Sequence, residues 1–76
     1  MSELLGYLAR QLVDRPEEVR VEEEHRDDAL VLRLHVAPED VGKVIGRKGR
    51  IVRALRTLVR AGSARTGRRT LLEIVE

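Results

Sequence analysis

Gly46-Arg47-Lys48-Gly49 is the run in this chain whose residue types and spacing point most directly to chemistry. Lys43, Val44 and Ile45 lead into it, and Arg50 and Arg53 follow. The chemistry is capture of an anion, not the making or breaking of bonds. A tight turn between two helices needs residues that tolerate positive φ and a close backbone approach, and glycine does both. A glycine-flanked tip lets a phosphate reach main-chain N–H groups, and the start of a following helix adds partial positive charge. Arg47, Lys48 and Arg50 place full charges at the same point.

Catalytic chemistry lacks material. There is no cysteine, hence no disulfide, thiolate metal site or cysteine nucleophile. His25 and His35 are the two histidines, and neither has a second ligand at metal spacing, so both read as surface residues. Ser2, Ser63 and the threonines have no paired base. The spacing Gly42-x-x-x-Gly46-x-x-Gly49 is not a nucleotide loop, because Gly49 is followed by Arg50-Ile51 and not by Lys-Ser or Lys-Thr. The sequence therefore predicts a binding protein that is not an enzyme and carries neither cofactor nor metal.

The elements that hold the loop can be read from apolar spacing. Ser2 suits the cap of a first helix, in which Leu4, Leu5, Leu8 and Leu12 form one stripe, and Asp14-Arg15-Pro16 ends it. Val19 and Val21 alternate with Arg20 and Glu22 as a half-buried strand. The polar run Glu23 to Asp28 reads as a hairpin connection. In a second strand Leu30, Leu32, Leu34 and Val36 face one way, and Val31, Arg33 and His35 the other. Pro38 suits the first turn of a second helix, with Glu39 and Asp40 at its positive end and Val41, Val44 and Ile45 on its buried side.

A third helix runs from Arg50 to about Ala61. Ile51, Val52, Leu55, Leu58, Val59 and Gly62 fall in one arc, and Arg50, Arg53, Arg56 and Arg60 lie outside it. Gly62-Ser63 and Gly67 mark a loop before a closing strand, Thr70 to Val75, in which Leu71 and Leu72 compete for the inward face. A hairpin followed by a two-helix crossover predicts a three-stranded mixed sheet with all three helices on one face.

Charge is divided along the chain. Residues 1–40 hold five arginines against eleven acids, a net −6, and residues 41–76 hold ten bases against two acids, a net +8. The total of +2 hides that division, which suggests a polyanion-binding face if the bases fold together. Tyr7 is the sole aromatic, so RNA-binding modes that stack bases on an aromatic sheet have nothing to work with. No apolar run approaches the roughly 20 residues that span a bilayer, and Met1 to Gly6 carries no basic leader. A cytoplasmic protein with no membrane association is expected.

Val44-Ile45-Gly46-x-x-Gly49-x-x-Val52 resembles the signature of the KH fold, and the element order matches its type II arrangement. Over nearly the whole chain, the lead-in Pro38-Glu39-Asp40-Val41-Gly42 and the run Arg53-x-x-Arg56-Thr57-Leu58-Val59 are similar to bacterial KhpA proteins. The resemblance implies an α+β fold with a single KH domain over residues 1–76. It implies single-stranded RNA clamped over about four nucleotides by Gly46, Arg47, Lys48, Gly49 and Arg50 with Lys43 and Arg53, and an apolar floor from Val41, Val44 and Ile45. Bases would lie between the second helix and the second strand. From its residue type, Gly42 reads as a point of close approach, by a packed helix or by RNA backbone, with packing the favoured of the two. Pairing with itself or with a KhpB-type KH protein is implied too, together with RNA chaperoning and control of cell elongation and wall synthesis.

Two competing readings remain. Residues 38–61 could form a helix-turn-helix, although Arg53, Arg56 and Arg60 suit phosphates or a solvated face better than base edges. A KH fold can also serve purely as a dimerisation module, since a small core gains stability by association.

Overall fold

In the computed structural model, which describes residues 2–76 and Thr66 by its backbone alone, the predicted order of elements is present. Helix α1 spans Ser2–Leu12, strands β1 and β2 span Arg20–Arg26 and Ala29–His35, α2 spans Val41–Ile45, α3 spans Arg50–Thr66 and β3 spans Arg69–Val75. The sheet order is β1-β2-β3, with β1 antiparallel and β3 parallel to β2. It is an α+β fold of the type II KH kind, a mixed three-stranded sheet with its helices on one face.

Alternation along the strands fixes which face is covered. Leu32 and Leu34 of β2 are wholly buried under the helices, with Leu5 and Ala9 of α1, Val44 of α2, and Val52, Leu55 and Val59 of α3. Leu72 is the inward residue of β3, and Leu71 is exposed on the helix-free face. On that face Arg33 sits between Glu24 at 2.6 Å, diagonal to it on β1, and Glu73 at 3.0 Å, directly across from it on β3. A hydrogen bond from Arg26, together with the charges of Arg26 and Arg33, holds the Glu24 carboxyl below its usual range.

Four local expectations need correction. The stripe of α1 is turned, so that Leu4 is exposed and Leu5, Gly6 and Ala9 are buried. Small residues at 6 and 9 let the helix lie close to the sheet, a packing that large side chains alone do not reveal. The helix already includes Ser2, so a cap at Ser2 gives way to Ser2 as its first residue. The polar run Glu23 to Asp28 is mostly strand, with β1 reaching Arg26 and only Asp27-Asp28 turning. An edge strand can carry acids when the neighbouring strand supplies their partners, here Arg33 and His35.

The fourth correction concerns α3, which continues through Gly62 and Ser63 to Thr66. Glycine costs a helix about 1 kcal/mol relative to alanine. Gly62 is half-buried one turn beyond the buried Val59, and the helix carries that cost because Leu55 and Val59 hold it against the core. The true stop is Gly67, left-handed at φ 74°, whose N–H donates to Ser63 O at 3.0 Å. No helix among the described residues is long and apolar enough to cross a membrane.

Candidate nucleic-acid interface

Between α2 and α3 the chain reverses within four residues. The N–H of Gly46 closes α2 by donating to Gly42 O at 2.9 Å, and the N–H of Gly49 donates to Gly46 O at 3.0 Å. Gly46 lies at φ 77°, ψ 168°, a region open essentially to glycine alone. A Cβ there would stand 2.6 Å from Ile51 Cγ1 and 2.9 Å from the Ile51 backbone nitrogen. Gly49 is left-handed at φ 73°, but a Cβ there would meet only Val52, at an ordinary 3.9 Å. The two glycines are therefore needed for different reasons, sterics and conformation at Gly46 and conformation alone at Gly49.

This difference predicts unequal alanine variants. Gly49→Ala should cost about 1–2 kcal/mol for the left-handed backbone. Gly46→Ala adds an overpacking cost of about 1–3 kcal/mol. Urea denaturation of the two variants checks the order, and equal midpoints would show that the Gly46 contact with Ile51 relaxes freely.

The electrostatics of the tip are one-sided. Arg47, Lys48, Arg50 and Arg53 are exposed on the loop and the first turn of α3, a turn that contains no acid. Bases at the positive end of a helix are unfavourable by about 0.3–1 kcal/mol each. A bound anion would turn that cost into a gain. Among the described residues, the bases Arg15, Arg20, Arg26, Arg33 and Lys43 form ion pairs with acids, whereas Arg47, Lys48 and Arg50 form none. Asp14, Glu22, Glu24 and Glu39 of the first half are paired with other bases, and the tip keeps its charge. Arg56 and Arg60 extend the exposed basic face along α3. They also line a cavity of about 100 Å³ against Val59, Thr70, Leu71 and Leu72. A larger cavity, about 450 Å³, is bordered by Glu17, Glu18 and Glu76, which is the wrong charge for a polyanion.

The expected site residues separate into groups. Gly46, Arg47, Lys48, Gly49 and Arg50 come together at the tip. Val44 is completely buried and supports α2 from beneath, so it offers no surface to a ligand. Ile45 is 37 % exposed and Val41 is half-buried, which leaves Ile45 as the main apolar contact on α2. Gly42 is not the packing point expected, since a Cβ there would meet nothing within 4 Å. With Ile45 it forms an open strip leading to the tip. Lys43 is bound to Asp14, and that hydrogen bond holds its ammonium pKa above the usual lysine value, with Asp40 adding to it. Arg53 turns back onto the loop, donating to Lys48 O at 2.7 Å and to Gly49 O at 3.3 Å. Among the described residues no group of three or more His, Asp or Glu is placed to hold a metal.

Sequence reasoning missed what fixes α2. Asp40 was read as a helix-end charge, but its carboxylate is fully buried and accepts from the backbone N–H of Asp14 at 3.2 Å and of Arg15 at 3.0 Å. Arg15 also pairs with Glu39 at 2.6 Å, and Asp14 with Lys43. The segment after α1 is thereby clamped to the start of α2, and the loop inherits its direction from that clamp. The signal in the sequence was the pair Asp14-Arg15 matched by Glu39-Asp40, but nothing local relates positions 26 apart.

Comparison with known proteins gives the family. The family described as KhpA/KhpB, KH domain matches residues 2–74. Similar proteins include the RNA-binding protein KhpA of Treponema pallidum, 53 % identical over 99 % of this chain and 94 % of its own. The RNA-binding protein KhpA of Caldanaerobacter subterraneus is 47 % identical over 99 % of this chain and all of its own. That of Listeria monocytogenes is 43 % identical over the full length of both. No solved structure gives a significant match. By its family match, its identity to these relatives and its fold, the chain belongs to the KhpA/KhpB KH-domain family.

Proposed function

We propose that this chain is a single KH domain, residues 1–76, that binds single-stranded RNA at the Gly46–Gly49 loop. The observation that carries the reading is a cluster of bases without acid partners at the positive end of α3, on a loop built from two glycines. Phosphates sit against Arg47, Lys48 and Arg50. The N–H groups of Gly49 and Arg50 are used within the loop, so the tip's own donors to phosphate are those of Arg47 and Lys48. Bases lie over Gly42 and Ile45 on α2. The relatives named as RNA-binding proteins support the same ligand class. The cellular role the family suggests is RNA chaperoning in control of cell elongation and wall synthesis, in the cytoplasm, through pairing with itself or with a KhpB-type protein.

The test is a titration of the pure protein with a 12-nucleotide single-stranded RNA across a salt series. Three or four phosphate contacts at about −0.7 each give a log–log slope near −2 to −3. Affinity is expected to be micromolar or weaker for so small a footprint. Binding with no salt dependence would overturn the phosphate mechanism. A second reading, a KH fold kept as a protein-interaction module, is favoured by Leu4 and Tyr7, which stand 45 % and 58 % exposed on α1. In that case the titration leaves the RNA free.

A further inference from the structure

We infer that Arg53 is a positioning residue, which holds the loop in its binding shape and does not itself contact phosphate. The inference rests on the RNA-binding reading above for its functional consequence, although not for its geometry. Lys48 and Gly49 are consecutive left-handed residues, at φ 57°, ψ 25° and φ 73°, ψ 18°. Lys48 is the one non-glycine residue with positive φ among those described, a conformation side-chain-bearing residues persist in only when their surroundings hold them there. Two turn bonds, Gly49 N–H to Gly46 O and Arg50 N–H to Arg47 O, close the loop from within, and one guanidinium holds it from α3. Its two donors span successive carbonyls, Nη2 to Lys48 O at 2.7 Å and Nε to Gly49 O at 3.3 Å. A planar fork with fixed donor directions suits two neighbouring acceptors, whereas an ammonium is a single point.

The bracket has a rigid base. Arg53 is flanked by Val52 and, two residues on, Leu55, both buried in the core, so its position is set by α3 and not by the loop. Its charge is also spent usefully. Carbonyl oxygens near the tip would repel a phosphate, and two of them are drawn onto Arg53. The backbone donors of Arg47 and Lys48, and their side chains, are then what an incoming anion meets. Composition alone counts Arg53 as one more base beside Arg50, but the geometry gives the two residues different tasks.

The experiment compares wild type, Arg53→Ala and Arg53→Lys by RNA titration across salt and by 15N relaxation of the free proteins. Both variants should lose about fivefold to tenfold in affinity for the 12-nucleotide RNA. The salt slope should stay at the wild-type value, because no phosphate contact is removed. Order parameters of the Lys48 and Gly49 amides should fall in both free variants, the lysine variant included, while the rest of α3 is unchanged. A slope reduced by about 0.7 in Arg53→Ala, with wild-type affinity in Arg53→Lys, would make Arg53 a phosphate ligand and overturn the inference. Unchanged loop order parameters would overturn it as well. If wild type itself leaves the RNA free, the RNA reading fails, but the relaxation data still decide whether Arg53 fixes the loop. Arg53→Lys keeps the charge and the helix propensity, so a poorly folded alanine variant leaves the test intact.

Discussion

Asp40→Ala is expected to lower the melting temperature by about 8–32 °C. The substitution leaves two backbone donors, Asp14 N–H and Arg15 N–H, with their acceptor removed at a part-buried site. Hydrogen bonds to a charged group are worth about 1.5–3 kcal/mol each, and the two share one carboxylate, so a loss of about 2–4 kcal/mol is anticipated. In a domain of 76 residues each kcal/mol shifts the midpoint by about 4–8 °C. Total stability at this size is only about 4–11 kcal/mol, so the loss is a large fraction of the whole. Asp40→Asn keeps one acceptor oxygen but turns an amide NH2 toward the other donor, and it should fall between alanine and wild type. Differential scanning calorimetry of the three proteins, with the exposed Glu17→Ala as control, checks this. A shift for Asp40→Ala no larger than the control's would show that water replaces the carboxylate and that the clamp contributes little.

The Arg47→Asp, Lys48→Asp double variant should lose about 100-fold in affinity for single-stranded RNA while remaining folded. Two favourable charges become two repulsive ones beside the phosphate, and a hundredfold change corresponds to about 2.7 kcal/mol. The fold should tolerate the change, because both side chains are exposed and neither forms an ion pair with the rest of the protein. Aspartate is also among the residues that accept the left-handed conformation found at position 48. The deficit should shrink as salt rises, since exposed charges are screened over a Debye length of about 10 Å at 0.1 M. Titration of the folded variant at two salt concentrations provides the measurement. RNA binding at the wild-type level would remove the loop from the site.

Much of this fold was legible in the order of residues. Apolar alternation in β2 and the arc on α3 predicted the buried faces correctly, because period 2 and period 3.6 are local properties that burial must respect. The glycine loop was legible for the same reason, since positive φ is a demand on one residue at a time. Elements whose polar residues find partners elsewhere were misread. Glu23 and Glu24 looked like a loop, but β1 stays paired with β2 through Arg26, and Arg33 supplies a partner for Glu24 across the sheet. Gly62-Ser63 looked like a stop because the packing that carries α3 past it comes from residues in other elements.

What the sequence by itself determined is the kind of site: two glycines that allow a tight reversal and a run of bases that favours an anion. Backbone conformation and net charge are set by residue type within a few positions, so spacing alone reveals them. Only the tertiary structure decided which of those residues stand exposed at the tip and which are taken by partners within the fold. Val44 is consumed by the core, Lys43 by Asp14 and the guanidinium of Arg53 by the loop's own carbonyls. Asp40 changed from a helix-end charge to the anchor of the site, because its hydrogen bonds go to residues 25 and 26 positions away. A side chain's partner is a matter of distance in space, and for residues on different elements the chain order does not encode that distance.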